Sequence, residues 1–275
     1  MGGGGGEERS RTELVAGGRR LEHAWHGPEP GEAPPLVFLH EGLGSVSLWR
    51  DFPRLLTEAT GCGALVYSRA GYGRSDAAPL PWPVRFMHEE AAVLEEVMDR
   101  TFVREAVLVG HSDGASIAII HAGSHPPGRV RALVLLAPHV FVEEISVGSI
   151  AAAAETFRGG DFRKALERHH GANVDGAFWG WNGVWLDPAF RSWNIEEFLP
   201  RIRQPVLAIQ GADDPYGTLL QVDALAAGCA SRVERLVLAD CAHAPHREQP
   251  ARTLAAAAEF LLGCGLATPR SGLQK

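Results

Sequence analysis

Gly110-His111-Ser112-Asp113-Gly114 sets a serine between two glycines. It directly follows the apolar run Ala106-Val107-Leu108-Val109 and precedes a helix-like run from Ala115 to His121. A strand–turn–helix setting is what gives G-x-S-x-G its chemical meaning. The turn is so tight that the residues two before and two after the serine must lack side chains. The serine is forced into a strained backbone conformation, a kind of strain that persists at working sites. The chemistry this predicts is nucleophilic attack by the Ser112 hydroxyl.

A serine hydroxyl needs a base to take its proton, and the base needs an acid to orient it. Elbows of this kind take them in the chain order Ser…Asp/Glu…His. The strand-like run Val206 to Gln210 is followed by Gly211-Ala212-Asp213-Asp214-Pro215. A short turn from the glycine carries Asp214 back to the sheet's upper edge and leaves Asp213 to solvate the turn, so Asp214 is the favoured acid. Leu236 to Asp240 runs into Cys241-Ala242-His243-Ala244-Pro245-His246. His243 comes first after the strand, among small residues, and is favoured as base over His246, which begins the approach to the last helix.

Negative charge developing on a carbonyl oxygen needs N–H donors already aimed at it. One is predicted at Asp113, the residue after the nucleophile. The other is predicted at Gly42, in the glycine-rich loop His40-Glu41-Gly42-Leu43-Gly44-Ser45 that follows Leu36 to Leu39. A third glycine turn, Ser68 to Ser75, has the G-x-G look of a dinucleotide site. It lacks the third glycine, with Asp76 in its place, and reads as structural.

The elements that must position these groups can be read in outline. Leu36–Leu39, Ala64–Tyr67, Ala106–Val109, Ala132–Leu136 and Val206–Ile209 are short, unalternating apolar runs, and Leu236–Leu238 adds a last one. Such runs suit parallel strands buried on both faces. Met87 to Arg100 and Gln249 to Leu262 read as helices between or after them, and Glu13 to Trp25 as two short strands around Gly17-Gly18. Strands alternating with helices imply an α/β fold. The interval from Pro138 to Pro205 has no clear strand. It holds two helical patterns, Ile145 to Phe157 and Phe162 to His169, then Phe178, Trp179, Trp181, Trp185, Phe190 and Trp193. It reads as an insertion folding over the sheet's edge.

Composition bounds the rest. The 275 residues are 45% hydrophobic and 21% charged, the ordinary globular range. A net charge of -7 with no basic stripe speaks against nucleic acid. Cys62, Cys229, Cys241 and Cys264 form no C-x-x-C pair and are expected to be reduced thiols. The glycine-rich start has no apolar core of a signal peptide, and no stretch is long enough to span a bilayer. A cytoplasmic location, and a monomer or homodimer, are expected.

From about Pro35 to Leu262 the chain resembles the capped, single-domain serine hydrolases of the α/β-hydrolase fold. His40 to Ser45, Arg69 to Ser75, Gly110 to Gly114, and Gly211 to Asp214 with His243 carry the likeness. The resemblance implies a mostly parallel central sheet flanked by helices, with a helical cap inserted before the penultimate core strand. It implies Ser112 as nucleophile, Asp214 as acid and His243 as general base, with no cofactor and no metal. The corresponding division is a tail at 1–12, core at 13–138 and 204–265, cap at 139–203, and a C-terminal tail at 266–275. Two departures stand out: Glu41 where the family has glycine, and Asp113 where it often has an apolar residue or glutamine. Glu41 would hold its loop or contact a polar substrate. Asp113 would add negative potential if its side chain faced the site.

Hydrolysis of a small carboxylic ester is the first expectation. Carbon–carbon bond hydrolysis of aromatic ring-fission products comes second, and thioester or lactone hydrolysis third. A non-catalytic ligand-binding module of the same fold is the alternative class. Trp179, Trp181 and Trp185 would contact a small-molecule substrate with an apolar or aromatic acyl group.

Overall fold

The computed structural model describes residues 13–31, 33–125 and 128–267. The expected tail at 1–12, and residues 268–275 of the expected C-terminal tail, lie outside them. Leu266 is buried against the core and its carbonyl accepts from the Cys62 thiol. The core therefore continues past residue 265.

A seven-stranded sheet organises the chain. Its strands are β3 (His23–His26), β4 (Leu36–Leu39), β5 (Ala64–Tyr67), β6 (Ala106–His111), β7 (Val130–Leu136), β8 (Val206–Gly211) and β9 (Val233–Leu238). Their spatial order is β3-β5-β4-β6-β7-β8-β9. Only β3 is antiparallel to its neighbour. The N-terminal stretch makes one strand more than expected. β1 (Leu14–Ala16) and β2 (Arg19–Leu21) form a separate hairpin, and β3 leaves it to join the main sheet at its edge. Glu22 marks the change of sheet, its carboxylate accepting from Ser68 Oγ and the Arg74 N–H.

The apolar strand runs are explained by helices on both faces. Side chains alternate across a strand, so Leu36, Phe38, Val107 and Val109 face one layer and Val37, Leu39 and Leu108 the other. The first layer holds α1 (Phe52–Thr60) and α8 (Pro250–Gly263), which pack on each other. Pro53 and Pro250 stand in their first turns, where a missing N–H costs nothing. The second layer holds α2 (Phe86–Arg100) and α3 (Asp113–Ser124). Burying α1's Phe52 and Leu56 contributes about 1.5–3 kcal/mol each.

The interval between β7 and β8 carries α4 (Glu144–Arg158), α5 (Asp161–His170) and α6 (Val174–Leu186), which pack on one another. Phe157 and Phe178 stack face to face with ring centroids 3.8 Å apart. Its last part returns to the core. The 3-10 turn Glu196–Arg201 packs on α3 and on α7 (Leu220–Gly228), and a Cβ on Gly123 would stand 2.6 Å from that of Phe198. The insertion is also bolted to two loops of the sheet. His170 donates from Nε2 to the Leu43 carbonyl and accepts at Nδ1 from the Gly73 N–H, both at 3.0 Å. Asn173 donates to the Gly73 and Ser75 carbonyls. The glycine turn at 68–75 thus works as an anchor for the insertion.

Candidate active site

Ser112 lies between the end of β6 and the start of α3, with φ 53° and ψ −120°. That conformation is costly for a residue with a side chain. The flanking glycines are dictated by contact. A Cβ on Gly114 would stand 2.0 Å from the Leu39 carbonyl oxygen, and one on Gly110 2.6 Å from the Gly114 carbonyl oxygen. The bend therefore fits only between β4, β6 and α3. Behind Ser112 the first N–H groups of α3 have no partner within the helix, and its dipole favours negative charge at this end.

β8 ends in a turn that turns Asp214 back under the site while Asp213 stays exposed. The Asp214 carboxylate is buried and fully engaged. Oδ1 accepts from the Tyr216 N–H at 2.8 Å and Oδ2 from Gln210 Nε2 at 2.7 Å. Both oxygens lie within 2.9 Å of His243 Nδ1. Burial alone would raise the Asp214 pKa, but these hydrogen bonds outweigh it and hold the carboxyl below its ordinary value. A carboxylate only accepts, so Nδ1 of His243 carries a proton. Nε2 is then the nitrogen left to act as a base.

His243 and Ser112 open into one cavity of about 90 Å³, with Glu41, Gly42, Leu43, His139, Trp181, Trp185 and Tyr216 around it. No hydrogen bond joins Ser112 Oγ to the ring among the described residues; apo sites often show this contact open.

The loop carrying Gly42 is held from behind. The buried Arg69 guanidinium donates to the His40 carbonyl at 2.7 Å and to the Glu41 carbonyl at 3.2 Å. His40 Nδ1 also donates to the Glu41 carbonyl, while Nε2 accepts from the Arg69 N–H. In a trans peptide the N–H points opposite its carbonyl. With the Glu41 carbonyl turned to Arg69, the Gly42 N–H turns away from it. Glycine is required here by the insertion: a Cβ on Gly42 would meet the Trp181 indole at 2.2 Å.

Glu41 faces the cavity and also stands 3.3 Å, carboxylate to Nδ1, from buried His111. His111 Nε2 lies 2.7 Å from the His243 carbonyl, which only accepts. Nε2 therefore carries a proton, and a proton on Nδ1 would make an ion pair with Glu41. Burial opposes this charge pair, lowering His111 and raising Glu41. Their mutual attraction wins in both, raising His111 and holding Glu41 well below the carboxylate range. The pair braces the Glu41 loop, the elbow and the His243 loop together.

One expectation needs correction. Trp179 does not reach the cavity: it packs on Phe157 and Phe178, under the Arg158 guanidinium. On α6, Trp181 and Trp185 are one turn apart and share a face, whereas Trp179 lies two residues back, on the opposite side. His246 does begin the approach to the last helix, in the short helix Pro245–Glu248, and it is buried there. It is 4% exposed, its ring 4.9 Å from Trp49 and 5.6 Å from Phe52. Asp113 does not face the cavity either. It is fully buried, with Oδ1 accepting from Trp185 Nε1 at 3.2 Å and Oδ2 unpartnered.

Burial pushes the Asp113 carboxyl up to about 6, against the pull of Arg69 and Trp185. In the unfolded chain it would lose its proton near 4. Its contribution to stability is therefore complete below about pH 4 and lost as pH rises to about 6. Asp113→Asn keeps the acceptor for Trp185 and cannot ionise. It is expected to match the wild type at pH 4 and exceed it at pH 7 by about 2–3 kcal/mol. Thermal unfolding at the two pH values checks this; an equal offset at both contradicts it.

Sequence reasoning missed Arg69, His111, His139 and Tyr216. His139 is 2% exposed, lines the cavity with Nδ1 unpartnered, and is held neutral by burial and by His243, with its pKa down to about 3. It follows β7, at the carboxyl end of a parallel strand where ligands of α/β sheets bind. That position was the available signal.

The sheet order, the elbow and this cavity define an α/β hydrolase fold. The chain belongs to the alpha/beta hydrolase family, whose model matches residues 36–257. It is 30% identical over 96 residues to an sn-1-specific diacylglycerol lipase of Danio rerio, covering 35% of this chain and 29% of that one. It is 31% identical over 108 residues to a proline iminopeptidase of Lactobacillus helveticus, covering 39% and 36%. The matches thus span about a third of these relatives. The enol-lactonase of Burkholderia xenovorans LB400 shares the fold with a TM-score of 0.72 at 20% identity, over 91% of this chain and 99% of that one. No helix among the described residues is long and apolar enough to cross a membrane.

Proposed function

We propose that the protein is a serine hydrolase that cleaves a small carboxylic ester through an acyl-enzyme. The observation that carries this reading is His243 Nδ1 bonded to both oxygens of a buried Asp214, with the ring and the strained Ser112 on one cavity. His243 Nε2 takes the Ser112 proton as Oγ attacks the ester carbonyl. Asp214 keeps the ring in the required tautomer and stabilises the imidazolium. The oxyanion is received by the N–H groups of Asp113 and Gly42. His243 returns the proton to the departing alkoxide, and water releases the acid by the reverse path. None of these steps calls on a metal or cofactor.

Cavity size supports a small acyl group. Its 90 Å³ is below the roughly 150 Å³ of an apolar cavity that takes benzene. An aromatic acyl group enters only if α6 moves with Trp181 and Trp185, so the insertion acts as a cap that sets specificity. A series of p-nitrophenyl esters tests this: kcat/KM is expected to be highest for acetate to butyrate and to fall steeply for benzoate and long chains. Turnover confined to a ring-fission diketone or an acyl-CoA, with all these esters inert, would contradict it.

A further inference from the structure

On the far end of α3 from Ser112, a second cluster of chemistry-bearing side chains takes no part in the proposed reaction. His121 lies in the last turn of α3, His125 is the extended residue that directly follows the helix, and Glu95 faces them from α2. Ligand atoms of the three all lie within 4.8 Å of one another. The two rings are 4.4 Å apart, centroid to centroid.

Hydrogen bonds fix which nitrogens are available. His121 Nδ1 lies 3.0 Å from the Ala91 carbonyl, and His125 Nδ1 lies 2.9 Å from the His121 carbonyl. A carbonyl only accepts, so both Nδ1 atoms carry protons, and each neutral ring keeps its lone pair on Nε2. Metal-binding histidines are oriented in this way, with the other ring N–H given to a carbonyl.

His121 is 0% exposed, and its Nε2 has no partner. It points at Glu95 Oε2, which is 3.4 Å away and also unpartnered. Two buried lone pairs therefore face each other, an arrangement that costs free energy unless a cation lies between them. The spacing is that of a metal's coordination edge. Two ligands bonded to Zn²⁺ at about 2.05 Å and a tetrahedral angle stand about 3.3–3.4 Å apart. The other Glu95 oxygen is held by Arg129, whose charge is offset by Asp99 at 2.7 Å. Glu95 is thereby positioned to bind through Oε2 alone.

We propose that Glu95, His121 and His125 form a divalent transition-metal site of Zn²⁺ type, which clamps the end of α3 to α2. Two imidazoles and one carboxylate suit Zn²⁺, Co²⁺ or Ni²⁺ over Mg²⁺ or Ca²⁺. Solvent completes the tetrahedron. The part-exposed His125 closes onto the ion by side-chain rotation.

Titration of the full chain with ZnCl₂, and with CoCl₂ read by visible absorption, tests the site. The wild type is expected to bind one equivalent, with a tetrahedral Co²⁺ spectrum and a rise in Tm. His125→Ala is the clean variant, since His125 lies at the surface end of α3; circular dichroism verifies its fold. It is expected to weaken binding more than about 100-fold, beyond the loss typical of an outer partner. Glu95→Gln is expected to do the same. Esterase turnover of Ser112 should be unchanged in both. A wild type that binds no Zn²⁺ at micromolar concentration, or equal affinity in wild type and His125→Ala, would overturn the proposal.

Discussion

His243→Ala is expected to lower kcat by about 10⁶ and leave the fold intact. Removing the base from a nucleophile–base unit costs about as much as removing the whole unit. The ring is part-exposed at the cavity wall, so little packing is lost with it. The neighbouring His246→Ala should behave in the opposite way. Its ring fills space against Trp49, Phe52 and His111, so truncation leaves a hole in the core and costs about 2 kcal/mol or more. Turnover should stay within about tenfold, because no reacting atom touches His246. Steady-state kinetics and thermal unfolding of both variants separate the roles. Loss of activity in His246→Ala with a retained Tm would reassign the base.

Asp214→Asn is expected to lower kcat by about 10⁴. The amide NH₂ would face His243 Nδ1, which today donates to a carboxylate. The ring would then present the wrong tautomer, with its proton on the nitrogen that must accept from Ser112. Asp213→Asn, one residue earlier, removes an exposed charge on the turn and should change kcat by less than about twofold. Equal effects from the two substitutions would mean that Asp214 only shapes the turn. The change in Asp214 also shows in pH dependence. Its folded pKa lies below the unfolded value, so its stabilising contribution is present above about pH 4 and lost as pH falls through the folded value.

The main features of the site could be read in the sequence because each leaves a local mark. Gly110 and Gly114 are dictated by backbone contacts with Leu39 and Ala115, and a glycine pair around a serine is visible in any sequence. The strands read well because helices on both faces demand apolar residues throughout. Asp214 and His243 follow from which strand ends they stand beyond.

What could not be read depends on direction and on distant partners. Trp179, Trp181 and Trp185 look alike in a crowded aromatic stretch until the helix phase of α6 is known. Arg69 reads as one member of a glycine turn. Its role depends on the His40 and Glu41 carbonyls, nearly 30 residues away, turning toward it. His111 sits inside the motif, but its ring makes contacts with Glu41 and with the His243 carbonyl, 132 residues on. Such long-range pairings have no period and no neighbour in the chain to announce them.

The central claim is that Ser112 Oγ forms the covalent bond to the acyl group. A fluorophosphonate, which traps such an oxygen, followed by mass spectrometry of the peptide carrying Gly110 to Gly114, measures this directly. The account predicts one adduct per chain, on Ser112, abolished in Ser112→Ala and slowed about as much as turnover in His243→Ala. An adduct on another residue, or labelling that survives Ser112→Ala, would contradict it.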